Sequence, residues 1–127
     1  MIESYWRMST VGDDGDLFGL FQIRRPYHCC ATYAKSSTAF NADYYGAIIR
    51  AYHDGRMPWL NDVEHGEPYR KGDLYGSLGA WFAGRWHTQG ANEYIQRVKD
   101  TLKQRTWNRF WVCSWAGRLP CCTEGLG

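Results

Sequence analysis

Four carboxylates near the start of the chain have the types and spacing that could do chemistry. Glu3 stands among Ile2, Tyr5 and Trp6, and Asp13, Asp14 and Asp16 follow in a glycine-flanked stretch. A carboxyl group desolvated by apolar neighbours has a raised pKa, so it can stay protonated near neutral pH and donate a proton. A second carboxylate about 6.5–9.5 Å away can activate water, and the pair then hydrolyses a glycosidic bond with inversion. Aspartates beside glycines also make turns. Both readings stand for Asp13, Asp14 and Asp16.

The surrounding elements must hold these groups in place. Residues 1–8 read as the end of a helix, and Gly12-Asp13-Asp14-Gly15-Asp16 is turn chemistry that makes residues 9–20 a loop or small hairpin. Leu17 to Ile23 is apolar enough for a short strand or helix start, closed by Pro26. The spacing of Phe40, Tyr44, Ala47, Ile48, Ala51 and Tyr52 predicts a helix from Thr38 to Asp54, capped by Ser36 or Ser37 and stopped at Gly55. A loop over 55–71, with Pro58 and Pro68, precedes a second helix capped by Asp73. Its predicted face is Leu74, Leu78, Trp81 and Phe82, and Gly76 and Gly79 are expected to allow close packing against a neighbour. Tyr94, Ile95, Val98 and Leu102 stripe a third helix from Ala91 to Thr106, with Arg97, Lys99 and Lys103 outside it. The expected fold is mainly α, with a small β-hairpin or irregular region near the N-terminus.

Composition narrows the function classes. The 127 residues suit one domain, read as 1–107 with a cysteine-containing extension over 108–127. A net charge of +2 does not argue for nucleic acid, though a mildly basic protein suits an anionic polymer. No apolar run reaches the roughly 20 residues of a membrane span, and no basic-then-apolar leader is visible, so a secretion signal is expected to be absent or removed. The aromatic fraction of 17%, with seven tryptophans, exceeds what one small core needs, and some rings are expected on a binding surface.

Cys29, Cys30, Cys113, Cys121 and Cys122 match no zinc spacing, and the odd count leaves at least one thiol free or paired between chains. Disulfides stapling the tail and reduced buried thiols both remain open. His28, His53, His65 and His87 show no metal-ligand spacing and read as surface or packing histidines. Arg24, Arg25 and Arg85 could meet an anionic or hydroxyl-rich polymer, with ordinary surface charge as the alternative. No metal or cofactor is expected.

Four short motifs, in order, resemble the lysozyme-like superfamily, particularly soluble lytic transglycosylases and goose-type lysozymes. Glu3-Ser4, Ser9-Thr10-Val11-Gly12 and Gly19-Leu20-Phe21-Gln22 are similar to the family's opening Glu-Ser, Ser-x-x-Gly and Gly-Leu-(Met/Phe)-Gln. The segment from Asn41 to Ala47 resembles its Asn-Ile-x-x-Gly, Ala80 to Gly84 its Ala-Tyr-Asn-Ala-Gly, and Glu93 to Val98 its Tyr-Val-x-x-Val. Gly72-Asp73-Leu74-Tyr75-Gly76 and the span from Trp81 to Trp86 look like lysozyme-like domains of secreted actinobacterial proteins. The likeness covers roughly residues 2 to 107.

The resemblance implies a lysozyme-like fold that cleaves β-1,4-linked polysaccharide, peptidoglycan first, in a secreted or cell-wall setting. Glu3 would be general acid and then base. Ser9 and Gln22 would bind substrate or position the carboxyl, Asn41 and Trp81 would contact substrate, and Tyr94 would brace Glu3. For Gln22 a structural amide satisfying loop backbone is the alternative, and for Tyr94 a core position on its helix stripe. Phe82 stands where the family has a cleft asparagine, which removes a polar contact. Hydrolysis of chitin, chitosan, cellulose or another β-glucan with an aspartate partner stays open, as does a non-catalytic glycan-binding module.

Overall fold

The structure is a computed structural model and describes residues 7–28 and 31–105. Its first elements are three two-residue antiparallel strands, β1 (Val11–Gly12), β2 (Leu17–Phe18) and β3 (Ile23–Arg24), in the order β1-β2-β3. Val11 pairs with Phe18, and Phe18 in turn pairs with Ile23. A 3-10 turn at Asp13–Gly15 joins the first two, so the glycine-flanked aspartates do form a hairpin turn. The second connection is tighter. Gly19 and Gln22 both take left-handed backbone conformations there, with φ of 75° and 52°.

Four helices follow among the described residues: α1 (Ala31–Ser36), α2 (Thr38–His53), α3 (Leu74–Ala83) and α4 (Gln89–Gln104). The protein is therefore mainly helical, with a small antiparallel sheet near its N-terminus. Ser37 caps α2 by accepting the Phe40 N–H at 3.1 Å. Asp73 caps α3 by accepting the Gly76 N–H at 2.7 Å, and Gly84 ends that helix at φ 64°. Such caps satisfy amides that a helix start would otherwise leave unpaired. By compactness the chain divides after Ile95, and α4 begins in the first unit and ends in the second.

Two buried clusters organise the first unit. Phe18 and Ile23 from the sheet meet Ala31 and Ala34 of α1, with Phe40, Tyr44 and Trp81 packed against them. Tyr52, Leu60, Ala80 and Trp86 form the other, flanked by Ile48, Met57 and Tyr69. Leu60 belongs to a 3-10 turn, Pro58–Asn61, within the segment expected to be plain loop. Tyr69 secures that loop by donating its hydroxyl to the Tyr52 carbonyl at 2.5 Å.

The inward face of α3 differs from the sequence expectation. Gly76, Ser77, Gly79 and Ala80 are buried, whereas Leu74 is 52% and Phe82 48% exposed. Small residues win that face because neighbours come too close for large ones. A Cβ on Gly76 would sit 2.6 Å from the Trp86 ring, and one on Gly79 would sit 2.9 Å from Ile95. The close packing expected of these glycines is present.

Candidate functional site

The turn between β2 and β3 carries the Gly-Leu-Phe-Gln segment, and Asn41 of α2 holds it. Asn41 Oδ1 accepts the Phe21 N–H at 3.0 Å, while Nδ2 donates to the carbonyls of Phe18 at 3.0 Å and Ala34 at 3.2 Å. The residue is fully buried. Its amide is occupied in joining sheet, α1 and α2, which leaves no exposed atom for the substrate contact expected of it. Gly19 is required beside it, because a Cβ there would collide with the Asn41 amide.

Gln22 makes a parallel set of bonds. Its Nε2 donates to the carbonyls of Gly19 at 2.8 Å and Thr10 at 3.2 Å, which ties the turn back to the start of β1. A Cβ on Gly12 would lie 2.7 Å from Gln22 Oε1, so the Ser-x-x-Gly segment packs directly on the Gln22 amide. Ser9 is exposed in the turn before β1. Segments far apart in sequence thus meet at one turn.

Trp81 of α3 connects to this turn through Tyr45, whereas Tyr94 of α4 packs with Phe82. Trp81 is partly buried, stacked at 5.3 Å on the His28 ring and edge-on at 5.0 Å to Tyr45, which itself stacks on Phe21 at 4.0 Å. Tyr94 is buried, and Phe82 lies nearly parallel to its ring at 4.5 Å. Phe82 therefore covers the tyrosine with an apolar face.

The carboxylates separate by environment. Asp16 receives Arg25 Nη2 at 2.6 Å. Asp14 is exposed on the hairpin turn, with its backbone at φ 55°. The Asp13 side chain, Glu3, Ser4 and the five cysteines lie outside what is described, as do residues 108–127.

Two histidine sites have no counterpart among the motifs. His28 Nδ1 shares a hydrogen bond with the Tyr44 hydroxyl at 3.0 Å, and burial lowers its pKa from 6.5. His87 joins Asp73 to Asn92 at the corner between α3 and α4. Neither has a characteristic spacing; the available signal was only that His87 falls between a predicted cap and the next helix. Among the described residues, no three His, Cys, Asp or Glu side chains cluster so as to hold a metal ion. No described helix is long and apolar enough to cross a membrane. A shallow hollow lined by Ala47, Arg50, Ala51, Asp54 and Arg56 contains none of the expected site residues.

Compared with known proteins, the chain matches no protein-family model, no curated protein and no solved structure.

Proposed function

We propose that the chain cleaves β-1,4-linked polysaccharide, with peptidoglycan as the first substrate, using Glu3 as the acid and then the base. The observation that carries this reading is the convergence of the Ser9–Gly12, Gly19–Gln22 and Asn41 segments. Asn41 and Gln22 use both amides to fix one turn, and Gly12 and Gly19 are the small residues that permit the approach. The hairpin register brings the first two segments together, and the bonds of Asn41 from α2 add the third, so the motif-bearing residues share one built turn. The Trp81 and Phe82–Tyr94 contacts add rings of two further segments in the same unit.

A hydrolytic variant of this reading has a preferred partner. Of the two aspartates whose side chains are described, Asp16 is already held by Arg25, whereas Asp14 is exposed on its turn. Asp14 is therefore better able than Asp16 to activate water, and Asp13 stays a candidate beside it.

The test is Glu3→Gln assayed on peptidoglycan, chitin, chitosan and cellulose. Removing a general acid is expected to lower turnover by at least about 10²–10⁴-fold with polymer binding kept. Unchanged cleavage would remove Glu3 from the mechanism, and binding without cleavage by the unaltered chain would make it a glycan-binding module. Products then separate the chemistries: 1,6-anhydro ends indicate transglycosylation. Reducing ends, lost in Asp14→Asn but kept in Asp16→Asn, indicate hydrolysis with Asp14.

A further inference from the structure

The corner between α3 and α4 contains a histidine with both ring nitrogens engaged. His87 Nε2 lies 2.9 Å from Asp73 Oδ2, and Nδ1 lies 2.9 Å from Asn92 Oδ1. The Asn92 amide is oriented from its other end, where Nδ2 donates to the His87 carbonyl at 3.0 Å. Turning that amide over would set two carbonyl oxygens face to face, so Oδ1 is the atom that faces the ring. Asp73 is equally committed as an acceptor, because its Oδ1 takes the Gly76 N–H and Arg70 lies 3.5 Å from Oδ2. A carboxylate and an amide oxygen only accept, so each ring nitrogen must donate, and an imidazole donating from both nitrogens is the cation.

The seat of this ring is closely built. The His87 and Asp73 side chains are only 13% and 16% exposed. A Cβ on Gly76 would come within 2.8 Å of His87 Nε2, and one on Gly66 would collide with the His87 carbonyl. His87 itself takes a left-handed backbone at φ 49°, uncommon for a residue with a side chain. Beside it, the buried Trp86 pairs its backbone with His65, and its carbonyl accepts the Gly66 N–H at 2.9 Å. Among the described residues, the charged groups around the ring are Asp73 on α3 and Glu67 and Arg70 in the preceding loop, and α4 presents the neutral Asn92.

We propose that His87 is a charge-dependent latch. As an imidazolium it ties the cap of α3 to the first turn of α4 and holds the corner against Gly66. Loss of its proton removes one of the two donors and unfastens the corner. Burial opposes the cation, but the hydrogen bonds to Asp73 and Asn92 and the charges of Asp73 and Glu67 outweigh it and raise the His87 pKa above 6.5. Burial also opposes the Asp73 carboxylate, yet the Gly76 N–H, His87 and Arg70 hold its pKa below 3.8. A raised pKa gives stability that is full below the unfolded value and lost as pH rises through the folded one; a lowered carboxyl pKa gives the reverse. The latch is therefore closed from below 3.8 to above 6.5 and opens on the alkaline side.

The experiment follows both ring nitrogens of His87 in the ¹⁵N-labelled full chain from about pH 5 to about pH 8, the range of an ordinary histidine, together with the amide protection factor of Gly66. His87 should remain a cation past 6.5, and Gly66 protection should fall with the same midpoint as the ring titration. Asp73→Asn keeps a good capping residue and removes the charge, so the midpoint should drop. Asn92→Asp adds a charge at the other nitrogen, so the midpoint should rise. A neutral His87 at 6.5 overturns the proposal, as does a midpoint unmoved by both variants or Gly66 protection indifferent to the titration.

Discussion

Asn41 shows how one side chain can determine whether a turn exists. Phe18, Phe21 and Ala34 each direct a backbone group at its amide. Leaving a buried group unpaired costs about 1–3 kcal/mol, so Asn41→Ala is expected to lower unfolding free energy by about 2–4 kcal/mol, measured by urea titration. Asn41→Asp has nearly the same shape but replaces the donor with an acceptor aimed at two carbonyls. It should be similarly unstable at neutral pH and recover on acidification, because only its protonated form can donate. An Asp variant as stable as the original at neutral pH would mean that the Nδ2 bonds contribute nothing. The sequence made Asn41 notable through family likeness and suggested a substrate contact. Its helix position carried a different signal. Asn41, Tyr44, Ile48 and Tyr52 share one stripe, and a lone amide on an apolar stripe is expected to be bonded to backbone once buried.

Among the elements, α2 and α3 use glycine in opposite ways. Gly46 lies on the outside of α2, and a methyl group added there would meet nothing within 4 Å, whereas one added at Gly76 would lie 2.6 Å from the Trp86 ring. Gly46→Ala should stabilise by about 0.5–1 kcal/mol, the gain in helix propensity alone. Gly76→Ala makes the same gain but forces a fully buried tryptophan to move, and overpacking costs about 1–3 kcal/mol, so the net effect should be destabilising. Opposite shifts in the urea midpoints of the two variants check this; two shifts of the same sign would contradict the packing argument. Helix extents and the caps Ser37 and Asp73 were legible, because periodicity and capping are local. Helix α1 was not: six residues are too few to show a period, and its two buried positions are alanines. The inward face of α3 was misassigned because large apolar residues look like core, while the face is chosen by which residues let Trp86 and Ile95 approach.

At the scale of the whole molecule, His28 and His87, read from the sequence only as surface or packing histidines, place opposite limits on stability. Burial lowers the His28 pKa, so its contribution is full above 6.5 and is lost as pH falls through the folded value. His87 behaves in reverse, full below 6.5 and lost on the alkaline side. The two contributions together are greatest around 6.5, and the lowered carboxyls Asp54 and Asp73 add a further loss below 3.8. Urea midpoints measured across a pH series test the arrangement through slopes, which a uniform loss of stability does not change. His28→Gln should flatten the limb below 6.5 and leave the alkaline limb, whereas His87→Gln should do the opposite. A single variant that flattened both limbs would show that the sheet-side and corner-side clusters titrate as one unit. Independent limbs would mean that the cluster around Ile23 and the cluster around Trp86 sense protons separately. That separation would allow acid to loosen the Gln22 turn and its neighbours while the α3–α4 corner stays closed.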